Sequence, residues 1–281
     1  MVDKAAADRV RLSCDGPVAH VTLTRGERHN GVDLAMIEAL ASAARRLRRM
    51  RHVRAVILSG DGPSFCAGLD VKSVMGSTRA RILGIAALCS PFRNRFQSWS
   101  LAWRDLPVPV LAVVHGNCFG AGMQLALGAD LRLCTPDARL SVMEAKWGLV
   151  PDMGGTVLLR DVVALDVAKE LTMTARVVSG VEAHALGLVT HVSDDPLADA
   201  VTLAQEISNR SPDAVAAGKF LLQEAWPRSE SGALAAERRW QRRVIGRRNQ
   251  RIAVRRNLQQ AAAKGADSDS LPPFSPRQIG R

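Results

Sequence analysis

Apolar and polar positions alternate from Pro17 to Thr24 (PVAHVTLT), and the β-branched residues among them favour extended backbone, so this stretch is expected to form a strand. The period lengthens over Asp33 to Arg49. There Leu34, Ile37, Leu40, Ala44 and Leu47 fall on one helical stripe, with Asp33 available as an N-cap. Ala55 to Ser59 (AVILS) is a short apolar run, read as a buried strand that ends at Gly60-Asp61-Gly62-Pro63. Residues 73 to 104 are loosely helical and weakly patterned. Val108 to His115 (VPVLAVVH) is another buried strand, Gly116 to Gly122 a glycine-rich turn, and Met123 to Gly128 the start of a helix. Leu131 to Cys134 and Leu140 to Val142 read as further short strands, and from Val157 onward the pattern is mostly helical. Strands and helices alternate first and helices follow, which points to an α/β core with a helical C-terminal part. Residues 265–281 (GADSDSLPPFSPRQIGR) are rich in Ser, Pro and Gly and are expected to be a loosely ordered tail. No internal repeat is present.

Composition narrows the class. The 281 residues are 47% hydrophobic and 23% charged, enough apolar mass for a large core. With no Tyr and only 4% aromatics, that core must be built from Ala, Val, Leu and Ile. The five cysteines form no C-x-x-C pair, which disfavours a disulfide framework or a zinc site. No secretory pattern opens the chain, and no apolar run approaches the roughly 20 residues that cross a bilayer, so a soluble, cytoplasmic protein without membrane insertion is expected.

The net charge of +11 gathers in two places, Arg45 to Arg54 and Arg238 to Arg256. It permits nucleic acid, an anionic membrane or a phosphorylated small molecule as partner. Zinc-finger spacing and an aromatic RNA-binding signature are both missing, so nucleic acid is not expected. Most of these arginines read as solvated helix faces.

Two segments can carry chemistry. Ser64 to Lys72 follows a strand and a Gly/Pro turn, and its small residues Ala67 and Gly68 let a ligand approach the main chain. Gly116 to Gln124 joins a strand to a helix whose first N–H groups are unpaired. Two such loops could aim two N–H groups at one oxygen, the geometry of an oxyanion hole. No Lys-Ser/Thr follows Gly120-Ala121-Gly122, and the dinucleotide fingerprint is missing too, so neither nucleotide motif is supported. His29, His115, His184 and His191 accompany no G-x-S-x-G elbow, which argues against a serine hydrolase.

Phe65-Cys66-Ala67-Gly68-Leu69-Asp70-Val71-Lys72 resembles the F-x-A-G-x-D-[LIV] stretch of the enoyl-CoA hydratase/isomerase (crotonase) family. Gly116 to Asp130 resembles that family's G-x-x-x-G-[GA]-G-x-x-[LIV] helix start. Glu144 to Thr156 resembles its E-x-x-x-G-[LI]-x-P-x-x-G-G-T element, and Ala183 to Val189 its A-x-x-x-G-L-V signature. The resemblance runs from about residue 10 to 260. It implies a crotonase-like ββα superhelix over 1–200, with a C-terminal helical region over 201–264 that covers CoA and supports a homotrimer or homohexamer. It also implies an acyl-CoA thioester substrate, with coenzyme A part of that substrate and no separate cofactor or metal. By position, Leu69 and Ala121 would supply the oxyanion N–H groups. Ala67, Gly68 and Gly120 would border the CoA, with Arg28 and Lys72 near its phosphates. Some late arginines would hold the adenosine phosphate, against the plainer reading of surface charge.

The reaction is less directly legible. Hydratases of the family use two glutamates. Here Glu144 stands at the second position and Gln124 at the first, where an amide can orient water or substrate but cannot take a proton at neutral pH. Asp152 lies eight residues beyond Glu144, the separation seen in the family's dienoyl-CoA isomerases, although those carry Asp where Gln124 stands. The resemblance therefore implies Glu144 as proton acceptor, Asp152 as proton donor and Trp147 as an acyl-pocket wall. The leading expectation is double-bond isomerisation of an unsaturated acyl-CoA in fatty-acid metabolism. Hydration of a 2-enoyl-CoA and a non-catalytic CoA-binding scaffold are the alternatives.

Overall fold

The apolar runs pair side by side because each leaves its backbone donors and acceptors to be met by a neighbour. The structure, a computed structural model, describes residues 9–70, 73, 78–262 and 271–280. Strands β1 (Val10–Asp15), β2 (Val18–Leu23), β3 (Ala55–Gly60), β4 (Val110–Val114), β6 (Leu131–Cys134) and β9 (His191–Val192) form one sheet in the order β1-β2-β3-β4-β6-β9. The β1–β2 pair is antiparallel and the rest are parallel. A second sheet joins β5 (Asn117–Phe119), β7 (Arg139–Ser141) and β8 (Val178–Ser179). β1 was not expected. It is an edge strand with most residues exposed, so it lacks the apolar run that marks β3 and β4.

The helices are α1 (Leu34–Arg49), α2 (Thr78–Leu88), α3 (Ser98–Arg104), α4 (Ala121–Leu127), α5 (Gly155–Leu159), α6 (Leu165–Thr174), α7 (Gly180–Ala185), α8 (Pro196–Ser208), α9 (Pro212–Ala225), α10 (Glu230–Val244) and α11 (Arg248–Ala262). Asp33 caps α1 as expected, accepting from Met36 N at 2.8 Å. Alternate residues of β3 face opposite layers. Val56 and Leu58 join Leu40 and Leu47 of α1, whereas Ala55 and Ile57 meet Ala200 and Ala204 of α8. Burial on both faces explains the uninterrupted apolar run. The boundary expected at residue 200 falls inside α8, which belongs to the core layer.

Lys219 of α9 locks the C-terminal helices to the core, donating to Asp130 Oδ2 at 2.6 Å and Val108 O at 2.9 Å. Several late arginines serve packing. Arg243 lies 4.3 Å over the Trp240 ring, and Arg256 lies 5.0 Å over Phe274.

The expected loose tail is corrected for residues 271–280, and residues 265–270 lie outside the described ones. This segment is a strap laid across α9, α11 and the turn that follows α1. Its backbone is held by Asp213, which accepts from Gln278 N at 2.6 Å and Ile279 N at 2.9 Å. Asn249 Oδ1 accepts from Ser275 N at 2.9 Å. Leu271, Arg277 and Ile279 are buried. Turn-rich composition marks a chain without regular structure, and here distant side chains supply the partners that a sheet or helix would have given.

Candidate active site

The chain leaves β3 and β4 at the same edge of the sheet, and the segments that follow lie against each other. Cys66 bridges Cys118, donating its N–H to Asn117 O and accepting from Phe119 N, both at 3.0 Å. Leu69 bridges Val32. Val32 N donates to Gly68 O at 2.8 Å and Val32 O accepts from Asp70 N at 2.9 Å, so the N–H of Leu69 itself faces away from Val32. Gly68 has φ +93°, and a Cβ there would sit 2.8 Å from Phe119 O. Only glycine allows this approach. Ala121 opens α4, and its carbonyl accepts from Trp99 Nε1 at 2.8 Å. Leu69, Ala121, Gly120, Glu144, Trp147 and Asp152 line one cavity of about 420 Å³, together with Ala67 and Gly68.

A polar brace stands behind the first loop. Arg25 bridges Asp33 at 3.5 Å and Asp70 at 3.0 Å, and donates to Gly31 O at 2.8 Å. Asn30, fully buried, donates to Asp61 O and Ser64 O. Asp70 is held below the usual carboxylate range, first by the Ser73 hydroxyl and then by the Ser73 N–H and Arg25. Burial pushes the Cys66 thiol up to about 12, so it stays protonated and acts as packing.

Glu144 sits on a short 3-10 turn (Glu144–Trp147), half-buried. Its Oε1 accepts from Gln124 Nε2 at 2.6 Å, whereas its Oε2 is buried without a hydrogen-bond partner among the described residues. Desolvation pushes its carboxyl above the ordinary value. The Gln124 donor and its own N–H pull the other way, and the nearby Asp152 charge adds to the rise. Asp152 is exposed at the cavity mouth, yet lost hydration raises its carboxyl too.

Gln124 is not where an orienter of water or substrate would be. It is 1% exposed and does not line the cavity. Its oxygen accepts from Met153 N and Gly155 N, each at 2.9 Å, and its nitrogen holds Glu144. The amide therefore acts on the cavity only through Glu144 and the 153–155 turn. Gln124→Met keeps the bulk but leaves two buried N–H groups unpaired. It is expected to cost about 1–3 kcal/mol of stability, read by chemical denaturation. An unchanged midpoint would show that the clamp carries no weight.

Arg28 is exposed on the turn Gly26–Arg28, next to His29, whose carbonyl accepts from Ala67 N at 2.9 Å. It does not line the cavity, and Lys72 lies outside the described residues. Reasoning from sequence missed Trp99 and Arg25, because their partners lie 22 residues (Ala121) and 45 residues (Asp70) away and no motif links them. Trp147 lines the cavity as expected. Among the described residues no group of three His, Cys, Asp or Glu side chains is placed to hold a metal, and no helix is long and apolar enough to cross a membrane.

Paired loops over an acid-lined cavity, set at the strand ends of a layered α/β core, define a crotonase-type enzyme fold. An enoyl-CoA hydratase from Bacillus anthracis superposes with a TM-score of 0.83 at 26% identity, over 95% of this chain and 98% of that one. The enoyl-CoA hydratase/isomerase family model matches residues 14–260, and the chain belongs to that family. It is 31% identical to the mitochondrial methylglutaconyl-CoA hydratase of Mus musculus over 209 residues, 72% of this chain and 64% of that protein. It is 33% identical to the mitochondrial Delta(3,5)-Delta(2,4)-dienoyl-CoA isomerase of Rattus norvegicus over 213 residues, 73% of this chain and 65% of that protein. The chain thus spans just under two thirds of the length of these two relatives. One is named for a hydration and the other for an isomerisation, so the choice of reaction falls to the site's own residues.

Proposed function

We propose that the protein shifts double bonds of an unsaturated acyl-CoA, with Glu144 as the carboxylate removing a proton next to the thioester carbonyl, Asp152 in its protonated form returning one farther along the chain, and solvent exchange restoring both groups after each turnover. The Leu69 and Ala121 N–H groups hold the oxygen of the dienolate formed between the two transfers. CoA lies along Ala67, Gly68 and Gly120, with Arg28 near its phosphates. The observation that carries this reading is the arrangement at Glu144. One oxygen is tied by Gln124 at 2.6 Å, the other is buried without a hydrogen-bond partner among the described residues, and the residue lines a cavity that Asp152 also lines. A fixed, desolvated carboxylate with one oxygen left without a hydrogen bond suits proton abstraction. Two-carboxylate hydration would need an ionisable group at 124, and that amide is already engaged with Met153, Gly155 and Glu144.

Absorbance separates the outcomes. A 3,5-dienoyl-CoA is expected to gain a conjugated band, with crotonyl-CoA left nearly unchanged. Rapid loss of the enoyl band of crotonyl-CoA would assign hydration instead. No change with either, despite CoA binding, would favour a scaffold.

The raised carboxyls also set a pH dependence. Glu144 must be ionised to act, so the acid limb of kcat/KM is expected above the ordinary Glu value of about 4.3. In Asp152→Asn the proton donor is gone, so kcat is expected to fall, and an unchanged kcat would remove Asp152 from the proton return. The folded state binds protons at these two sites more tightly than the unfolded chain does. Their contribution to stability is therefore greatest below the ordinary carboxylate range, and it declines as pH rises toward the raised values.

A further inference from the structure

Helix α3 lends no residue to the cavity wall, yet it holds both of the segments that work there. Trp99 Nε1 donates to Ala121 O at 2.8 Å, in the first turn of α4. The main chains of α3 and α4 also meet closely, since a Cβ at Gly128 would lie 2.3 Å from Ser100 O. α3 is thereby set firmly against the helix that carries the Ala121 N–H.

The next residue, Ser100, is fully buried, and its hydroxyl donates to Met153 O. Met153 directly follows Asp152 and lines the cavity beside it. Gly154 continues the turn at φ +91°, and a Cβ there would fall 2.4 Å from Ser100 Oγ and 3.0 Å from Leu101 Cγ. Only glycine lets the turn come this near to α3. On its other side the turn is held by Gln124, but both of those bonds, from Met153 N and Gly155 N, end on one oxygen atom. A turn held at one atom can pivot about it. Ser100 supplies a second point of attachment on a different helix. Asp152 is exposed at the cavity mouth, so the placement of its carboxyl depends on the backbone that carries it.

We propose that Ser100 is a positioning residue for Asp152: its bond to Met153 O fixes the 152–155 turn against α3 and α4, and so sets the reach from the Asp152 carboxyl to the oxyanion donors. The proposal rests on Asp152 as the acid that returns the proton. That proton must arrive at a set distance from the carbonyl held by the Ala121 N–H, and a misplacement near 1 Å typically costs about a hundredfold in rate.

In D2O the two proton transfers leave separate marks. Reversible abstraction by Glu144 puts deuterium on the carbon next to the carbonyl of recovered 3,5-dienoyl-CoA, read by NMR. Return of the proton by Asp152 forms the conjugated product, read by absorbance. Ser100→Ala is expected to lower kcat for the conjugated product about ten- to a hundredfold, with KM and the exchange rate within about twofold of wild type. The ratio of exchange to conversion is the same whatever fraction of the enzyme is folded, so lost stability alone does not raise it. Ser100→Cys keeps a weak donor and is expected to fall between Ser100→Ala and wild type. Asp152→Asn is expected to lose conversion more fully, and adding Ser100→Ala to it should remove nothing further. Exchange and conversion falling together in Ser100→Ala, or a further loss in the double variant, would overturn the proposal and leave Ser100 as core packing. Normal conversion in Ser100→Ala beside slow conversion in Asp152→Asn would overturn this inference alone. Full turnover in Asp152→Asn would overturn the assignment of Asp152 as the acid, and the role of Ser100 with it.

Discussion

Glu144→Gln is expected to give a folded protein whose turnover falls by roughly two to four orders of magnitude, the usual worth of a positioned general base. The substitution is nearly isosteric. Its carbonyl can still accept from Gln124 Nε2, so the 2.6 Å contact and the 3-10 turn should persist. The loss is confined to the oxygen that had no hydrogen-bond partner among the described residues. Because burial already disfavours the Glu144 charge, neutralising it should leave stability equal or slightly higher. Steady-state kinetics with a dienoyl-CoA should show the loss in kcat, with KM little changed. A variant within a few-fold of wild type would move the proton transfer elsewhere, with Asp152 the first alternative. Loss of substrate binding together with kcat would instead indicate a structural role for Glu144.

Gly122→Ala is the second large effect, and it acts through the backbone. A methyl group there would lie 2.2 Å from Cys66 O and 2.8 Å from Cys66 Cβ. Cys66 cannot retreat cheaply. Its carbonyl accepts from Phe119 N and its N–H donates to Asn117 O, so the bridge between the two loops must open. Overpacking of this kind costs about 1–3 kcal/mol or more. The first turn of α4 would also shift relative to Leu69, and a displacement near 1 Å typically costs about a hundredfold in rate. Gly218→Ala in α9 is the control, since its added Cβ meets nothing within 4 Å and the change favours a helix. Denaturant midpoints and turnover for both variants separate a local clash from a general intolerance of alanine. If Gly122→Ala kept full activity, the close contact of the loops would be irrelevant to catalysis.

Sequence patterning captured the elements whose burial is simple. β3 and β4 are covered on both faces and read as apolar runs, and α1 shows one stripe with its Asp33 cap. The loops carrying Leu69 and Ala121 were legible because close backbone approach demands small residues in a recognisable order. Contacts between remote side chains were not legible. Gln124 stands at a position where the family carries an acid, but only the fold brings Met153 and Gly155 to its oxygen. The Arg25 brace joins residues 45 positions apart through space, with no periodicity to mark it. β1 escaped notice because an edge strand has few apolar residues to place. The strap at 271–280 escaped because its backbone is satisfied by Asp213 and Asn249 rather than by itself.

The oxyanion pair can be tested by a crystal structure of Glu144→Gln with a 3,5-dienoyl-CoA bound. Convergent amides require the thioester oxygen to lie about 2.7–3.1 Å from both Leu69 N and Ala121 N, with the carbon next to the carbonyl beside residue 144. An oxygen held by one amide alone, or turned toward solvent, would contradict the role given to both loops.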